Sequence, residues 1–515
     1  TIEYASRNRM GSSRQVFKMI SMPLEANHTQ LLNTSAVFRN LQGAEVQGVD
    51  INGDAIKHHE RLHFDCNGSP CIKSVLGLLD GEPYAFFPSK VNGIHFYNGG
   101  GTFGGLLQIG HESVLKESIL VSNCDFDSSY VSTHGGAVAI WYAEDVTMVN
   151  CTWKNNQAGT DGGALSIASS KVTLENVIFF QNSAKDGGAV SCHTASPVLR
   201  ASLVMRTITF DSNVADQHGG ALLLTDSDNV IVDGVIQRNS ALFGGGAIQL
   251  KDSSLSMQAV IASSNRVGNI LSSSLANGGM CNCIASELII QSSSLAENQA
   301  LSASQGVGGA IASLYCIVTL KASLFTRNKA SDFAGAIDLT SHSELKVYSS
   351  EFYGNEATQD GGSIRITQPI VSLIESSKFS AGSAGRGGCI YASGVFLMTV
   401  AGTTFTGCKS TSVGGGGGMY LEDSVKKCKV TGSMFNTCAA EEGPGGGVVW
   451  VAAPHSQTVS PLVVDEVTQT NSYGNQAKYG SLFASTAFYL TFQNVTKMKQ
   501  MPIQTSSKPF QPKPQ

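Results

Sequence analysis

One short element constrains this chain more than any other: two glycines, a small residue and an aliphatic residue, returning down its length. It reads Gly135-Gly136-Ala137-Val138, Gly162-Gly163-Ala164-Leu165, Gly187-Gly188-Ala189-Val190 and Gly219-Gly220-Ala221-Leu222. It continues at Gly245-Gly246-Ala247-Ile248, Gly308-Gly309-Ala310-Ile311, Gly361-Gly362-Ser363-Ile364 and Gly387-Gly388-Cys389-Ile390. Looser copies stand at Gly104-Gly105, Gly278-Gly279, Gly335, Gly417-Gly418, Gly446-Gly447 and Gly480. Successive copies lie 25 to 33 residues apart. A fixed period of this size marks a repeat architecture, in which each unit buries its apolar face only by stacking on its neighbours.

A second element runs in phase with the first: an aromatic or aliphatic residue, two variable positions, then Asn. Copies are Phe64/Asn67, Trp153/Asn156, Phe179/Asn182, Phe210/Asn213, Ile236/Asn239, Leu295/Asn298, Phe325/Asn328 and Phe352/Asn355. Later copies keep Phe and lose Asn, at Phe379/Gly382, Phe405/Cys408 and Phe435/Cys438. The intervening runs, such as Lys171–Ile178 and Val230–Asp233, are β-branched and too short for helices. One repeat therefore holds about three short strands with turns. Coiled into a rung, it stacks on the next at about 4.8 Å, like residue above like residue. The Phe column is expected to fill the core. The Asn column is expected to pass amide hydrogen bonds between rungs, and the glycines to make a tight corner. The fold expected is all-β, a right-handed parallel β-helix of about 25–33 residues per rung.

Composition fits an array. Over 515 residues, 14 % are charged, 42 % are hydrophobic and 56 are glycine. Hydrophobicity at that level argues against a disordered Gly-rich chain. A net charge of −5 with no basic run gives nucleic acid no electrostatic footprint. No apolar run is long enough for a membrane span. Twelve cysteines and the sequons at Asn27, Asn33, Asn67, Asn150 and Asn494 favour the secretory pathway. Thr1 opens without a charged and apolar leader, so a signal peptide is expected to have been removed. Asn67 belongs to the Asn column and is expected to be buried rather than glycosylated.

Gly-Gly-Ala-Ile/Leu/Val in phase with Phe-x-x-Asn resembles the repeat of polymorphic outer-membrane proteins of bacterial surfaces, found also in large secreted proteins of protists and algae. The resemblance covers about residues 64–480. It implies a pectin-lyase-like right-handed parallel β-helix and a surface or adhesive role. The bacterial members end in a membrane β-barrel, whereas this sequence ends in a Pro/Lys/Gln-rich stretch through Gln515. The expected organisation is a cap with early irregular rungs over 1–63, the β-helix over 64–496 and an extended tail over 497–515 that reaches across to a neighbouring copy.

Candidate chemistry is sparse. His59-Glu60-Arg61-Leu62-His63 matches the H-E-x-x-H zinc signature, which needs both His on one helical face. The segment alternates as a strand, and Cys66 stands where the extended motif needs Gly, so a chance match is expected. The residue before the double glycine is His134, Asp161, Asp186 and His218 in four successive repeats. Stacked, these would form a polar column able to bind a cation or to serve as acid and base on a glycan. Turns before Gly-Gly also favour such residues for purely local reasons. Thr225-Asp226-Ser227-Asp228-Asn229 lacks the Gly and Glu of a calcium loop and reads as a turn, and the run Gly414 to Gly418 reads as a corner. Expected disulfides are Cys66–Cys71 across a short turn, and Cys124–Cys151 and Cys408–Cys438 between neighbouring rungs. Cys281, Cys283 and Cys316 are expected to contain one more inter-rung pair, with Cys192, Cys389 and Cys428 unassigned. No C-x-x-C pairs point to zinc.

These features rank an extracellular structural subunit of a filament, coat or surface appendage first, working by self-association or with other surface proteins. A glycan-binding adhesin ranks second. A carbohydrate-active enzyme or metalloenzyme ranks third, and no cofactor is expected.

Overall fold

In a computed structural model the described residues are 90–271, 273–369, 371–422, 424–451 and 462–486, with shorter stretches at 16–20, 29–31, 45–49, 62–66, 68, 71–73, 75–79 and 82–86. The chain forms two units by contact, one of Thr1–Gly268 with Met280–Leu288 and one of Asn269–Gly279 with Ile289–Gln515. Each is a parallel β-solenoid, as the repeat period requires.

In the first unit a representative rung runs through Lys171–Phe180, Ser183–Asp186 and Val190–His193. Each strand pairs in parallel with its counterpart one repeat on, so that Phe179 lies over Phe210 and Val190 over Leu222. Three sheets result. The first carries the aromatic column, the second is short, and the third follows the glycines. Early strands obey the same rule: Val16–Ile20 pairs with Glu45–Val49, and Leu62–Asp65 with Ile94–Tyr97. One departure is the antiparallel pair Val75–Leu79 and Glu82–Phe86. The second unit repeats the three-sheet rung, with Phe325, Phe352, Phe379, Phe405 and Phe435 in register. It also holds a short helix, Glu466–Asn471, capped by Asp465, whose carboxylate accepts from Thr468 N–H at 2.9 Å.

The aromatic column is fully buried in both units. In the first, Phe96, Phe126, Trp153, Phe179 and Phe210 stack with centroids 4.7–5.5 Å apart. In the second, Phe325 to Phe435 stack at 4.5–5.1 Å. Parallel stacking is forced by the strand spacing, and burial of five large rings per unit is its reward.

Beside the rings runs the Asn ladder. Asn182 donates its side-chain amide to Trp153 O at 3.1 Å and to Asn213 Oδ1 at 3.0 Å. The same Asn213 oxygen accepts from Asn182 backbone N–H at 3.0 Å. Asn156, Asn213 and Asn239 repeat this pattern, as does Asn328 in the second unit. Every amide is buried and satisfied, which is the condition for a polar group in a core. Asn265 also belongs to the ladder, donating to Ile236 O at 2.8 Å. The motif does not reveal it, because Ala262 stands at its aromatic position.

The two glycines have separate roles. Gly162 has φ +62, and a Cβ there would lie 2.3 Å from Leu165 O. At Gly163 a Cβ would lie 2.2 Å from Gly188 O of the next rung. The first glycine supplies a left-handed corner, and the second lets neighbouring backbones close up.

The cysteines correct two expectations. Cys66–Cys71 is bonded, with Cα atoms 5.1 Å apart. Cys408 is bonded to Cys389, Cα–Cα 5.5 Å, and Cys438 is a buried free thiol. Cys124 and Cys151 are also buried thiols outside any disulfide, and their sulfurs bond to Ser122 O and Val149 O. Residues stacked in register hold their Cα–Cβ vectors parallel at the rung spacing, about 4.8 Å. A disulfide needs Cβ atoms converging to about 3.8 Å. Cys283 and Cys316 each take part in a disulfide, whereas Cys281 is a free thiol. Burial pushes the Cys192, Cys281, Cys428 and Cys438 thiols up to about 12, so they stay protonated and unreactive.

Two outcomes follow. Phe325→Ala should cost about 3–5 kcal/mol in chemical denaturation, as large core truncations do; a change near zero would remove the column from the core. Non-reducing peptide mapping should recover Cys389 joined to Cys408, with Cys124, Cys151 and Cys438 alkylated only after unfolding.

Candidate functional site

The side chains able to do chemistry gather on one side of each rung, where the residue before the glycine corner lies against the outer face of the third sheet. In the first unit this column holds His134, Asp161, Asp186 and His218. Backbone pairing puts Asp161 next to Asp186, and Asp186 next to His218. The expected stack exists, but it resolves into two His–Asp pairs. His134 Nδ1 lies 3.1 Å from Asp161 Oδ2 and 2.9 Å from Thr160 Oγ1. His218 Nδ1 lies 2.8 Å from Asp186 Oδ1, which also accepts from His218 backbone N–H at 3.0 Å. Each carboxylate thus has an imidazole of its own.

His193, which sequence reading passes over, joins this cluster from the third sheet. Its imidazole is held below the usual range by burial, against the pull of Asp161. The hydrogen bond to Asp161 raises His134 instead. Two imidazoles around one carboxylate are therefore pushed in opposite directions, the environment that separates an acid from a base. Aromatic rings flank the cluster. Phe103 meets Trp141 edge-on at 5.2 Å, and Phe243 lies 5.9 Å from His218.

In the second unit the same rung positions hold an arginine network. Arg386 binds Asp360 through two hydrogen bonds of 2.7 and 2.8 Å. Its guanidinium lies 4.8 and 5.2 Å from the rings of Tyr391 and Tyr420, which stack on each other at 5.5 Å. Burial, then a hydrogen bond to Glu422, pushes the Tyr391 hydroxyl up, so it stays protonated. Arg365 covers the Phe333 ring at 4.0 Å and lies 2.9 Å from Asp338. That contact is ionic rather than a hydrogen bond, since neither Arg365 Nε nor Asp338 Oδ1 has a hydrogen-bond partner. Burial outweighs Arg365 and pushes the Asp338 carboxyl up to about 6. No sequence motif marks this network, because its members are one rung apart. The signal available is that Asp360 and Arg386 both precede a glycine pair.

The remaining candidates are dispersed. His59 and Glu60 lie outside the described residues, and His63 is on the strand Leu62–Asp65 rather than a helix. Among the described residues no group of three or more His, Cys, Asp or Glu is placed to hold a metal ion. Asp226 and Asp228 both pair with Arg200, the latter at 2.9 Å. Asn27, Asn33, Asn67 and Asn494 lie outside the described residues. Asn150 is exposed and sits in a second, external ladder, donating to Asn123 Oδ1 at 3.2 Å and accepting from Asn176 at 2.7 Å. Comparison with family models, curated proteins and solved structures gives no match to the chain.

The two imidazoles give a test with opposite signs. His134, raised, contributes stability at pH below the usual imidazole range, and this is lost as pH rises through its folded value. His193, lowered, stays neutral in the fold and loses stability as pH falls. NMR titration should place His134 above and His193 below free histidine, and Asp161→Asn should bring His134 down. Coincident titrations would show that Asp161 does not organise the cluster.

Proposed function

We propose that this chain is an extracellular structural subunit of a filament, coat or surface appendage, of the polymorphic outer-membrane protein repeat type, acting by self-assembly. The observation that carries the reading is where its polar residues spend their hydrogen bonds. The buried Asn amides bond from rung to rung, and the His–Asp and Arg–Asp pairs join one rung to another. Such bonds stiffen a stack, and a stack presents the same backbone register again and again, which suits a building element. The disulfides are compatible with secretion. Among the described residues no helix is long and apolar enough to cross a membrane.

A second reading, glycan binding at a cell surface, draws on the rings beside the polar clusters, Trp141 with Phe103 and Tyr420 with Tyr391. Aromatic faces next to hydrogen-bonding groups suit sugars.

Electron microscopy and sedimentation of the purified protein separate the two. Assembly predicts ordered polymers whose size grows with concentration. Deleting residues 497–515 should weaken them while leaving the circular dichroism spectrum unchanged. A chain that stays monomeric at all concentrations, yet binds a glycan array and loses that binding in Trp141→Ala, would replace the structural reading with the adhesive one.

A further inference from the structure

On the third sheet of the second unit, Ala312, Asp338, Arg365, Tyr391 and Tyr420 stand in register on successive strands. Asp338 and Arg365 are the ion pair of this outward column. Their side chains are 4 % and 12 % exposed, and Arg365 Nε lies 2.9 Å from Asp338 Oδ1. Neither atom has a hydrogen-bond partner, so the two groups are close without being aimed at each other. The other arginine–aspartate pairs among the described residues differ. Arg200, Arg238 and Arg386 each donate hydrogen bonds to their carboxylates. Arg386, one rung beyond Arg365, commits two nitrogens to Asp360 and places the third 3.5 Å from Glu422. Arg365 makes no such bond to the described residues. Its guanidinium lies instead on the Phe333 ring, 4.0 Å from the centroid. A guanidinium fixed on a ring, with its donors unused beside a carboxyl buried without a hydrogen bond, is set for an acceptor from outside the chain.

We propose that Arg365, Asp338 and Phe333 form a binding site for a ligand carboxylate, seated in the plane of the guanidinium and beside Asp338. The inference goes beyond both readings of the function and requires neither. Geometry selects the ligand. A carboxylate is planar, and its two oxygens match the terminal nitrogens of the fork. A tetrahedral sulfate or phosphate would turn an oxygen toward the Phe333 ring. The neighbours of Asp338 set its charge. Ala312 on the strand before, Thr340 on its own strand and Phe333 at the corner are neutral, and Arg365 on the strand after is the cation that faces it. Burial outweighs that cation and pushes the Asp338 carboxyl up to about 6. Below that pH Asp338 is neutral, leaves Arg365 without a counter-ion and can donate its proton in a hydrogen bond to the bound carboxylate. Above it Asp338 is a second carboxylate and repels the ligand. Binding is therefore strong at low pH and is lost as pH rises through the Asp338 value.

Isothermal titration calorimetry of the full chain with glucuronate, which stays ionised throughout, tests the site. Binding should be about tenfold tighter at pH 5 than at pH 7, the ratio of protonated fractions for a carboxyl near 6. Asp338→Asn keeps a donor without a charge, and should bind at pH 7 as the wild type does at pH 5. Arg365→Lys keeps the charge but loses the fork, and should weaken binding about tenfold or more at both pH values. Asp338→Asn with Arg365→Gln leaves a neutral pair and should bind no glucuronate, with unchanged circular dichroism and melting temperature confirming the fold. Glucose, which lacks the carboxylate, should not bind. Wild-type protein that binds no glucuronate at pH 5, sulfate bound as tightly as glucuronate, or affinity unchanged in Arg365→Lys overturns the site. Affinity equal at pH 5 and pH 7 overturns the part given to Asp338.

Discussion

Parallel, in-register hydrogen bonding between rungs is the constraint on which everything else depends. It sets each side chain over its counterpart, so any choice made at one position is repeated along the stack. A polar residue in such a column is buried against its own kind, and only a side chain that both donates and accepts can survive there. Asn does this with one amide. Its NH₂ serves the carbonyl of the rung before and the oxygen of the Asn after, and its oxygen serves the previous backbone N–H. Asp lacks the donor and Ser lacks the reach.

Ser serves where the reach is short. In the second unit Ser323 N–H donates to Ser350 Oγ and Ser350 N–H to Ser377 Oγ, and the hydroxyl of Ser350 turns back to Tyr348 O. These residues lie two positions before the aromatic of their rung, as Cys124 and Cys151 do in the first unit. Those two cysteines bond to the carbonyl two residues back in the same way, so they are hydroxyl substitutes rather than halves of a cross-link. The disulfide that does form answers a different need. The Asn ladder stops at Gly382, where a Cβ would meet Cys389 Sγ at 2.7 Å. The missing ladder side chain leaves the space that this sulfur fills, and Cys408, at the ladder position of the next rung, closes the bond. A covalent link replaces the amide relay, and the relay resumes at Asn475, which donates to Phe435 O and accepts from Cys438 N–H.

Much of this was legible in the sequence because period and stacking are the same fact. The Phe, Asn and Gly-Gly columns, the three-strand rung and the polar pre-glycine column can all be read from spacing alone. The antiparallel pair at Val75–Leu79 and Glu82–Phe86 could have been found as well, since Asp80-Gly81 is a hairpin turn signal. Other features follow from side-chain direction, which spacing does not carry. Register brings Cys124 to Cys151 but does not turn their sulfurs together. It places His193 in the third sheet without revealing that Asp161 and His134 are its electrostatic neighbours. The Arg386 network is hidden for the same reason: Asp360, Arg386 and Tyr420 come from three different repeats.

Stacking also sorts the chemistry by face. Inside, each column is restricted to residues that tolerate their own repetition, and the result is rigidity. Outside, repetition is tolerated only if like charges are kept apart. The external columns therefore alternate sign, as in Glu175 beside Arg206 or Glu351 beside Lys378 at 2.7 Å, or turn neutral. A neutral, β-branched outer column is no stronger than a charged one within the chain, since it buries little there. The Thr, Val and Ile columns of the first sheet are the neutral case, and polar residues collect instead at the left-handed corner between them, where Asn150 and Asn176 bond side chain to side chain.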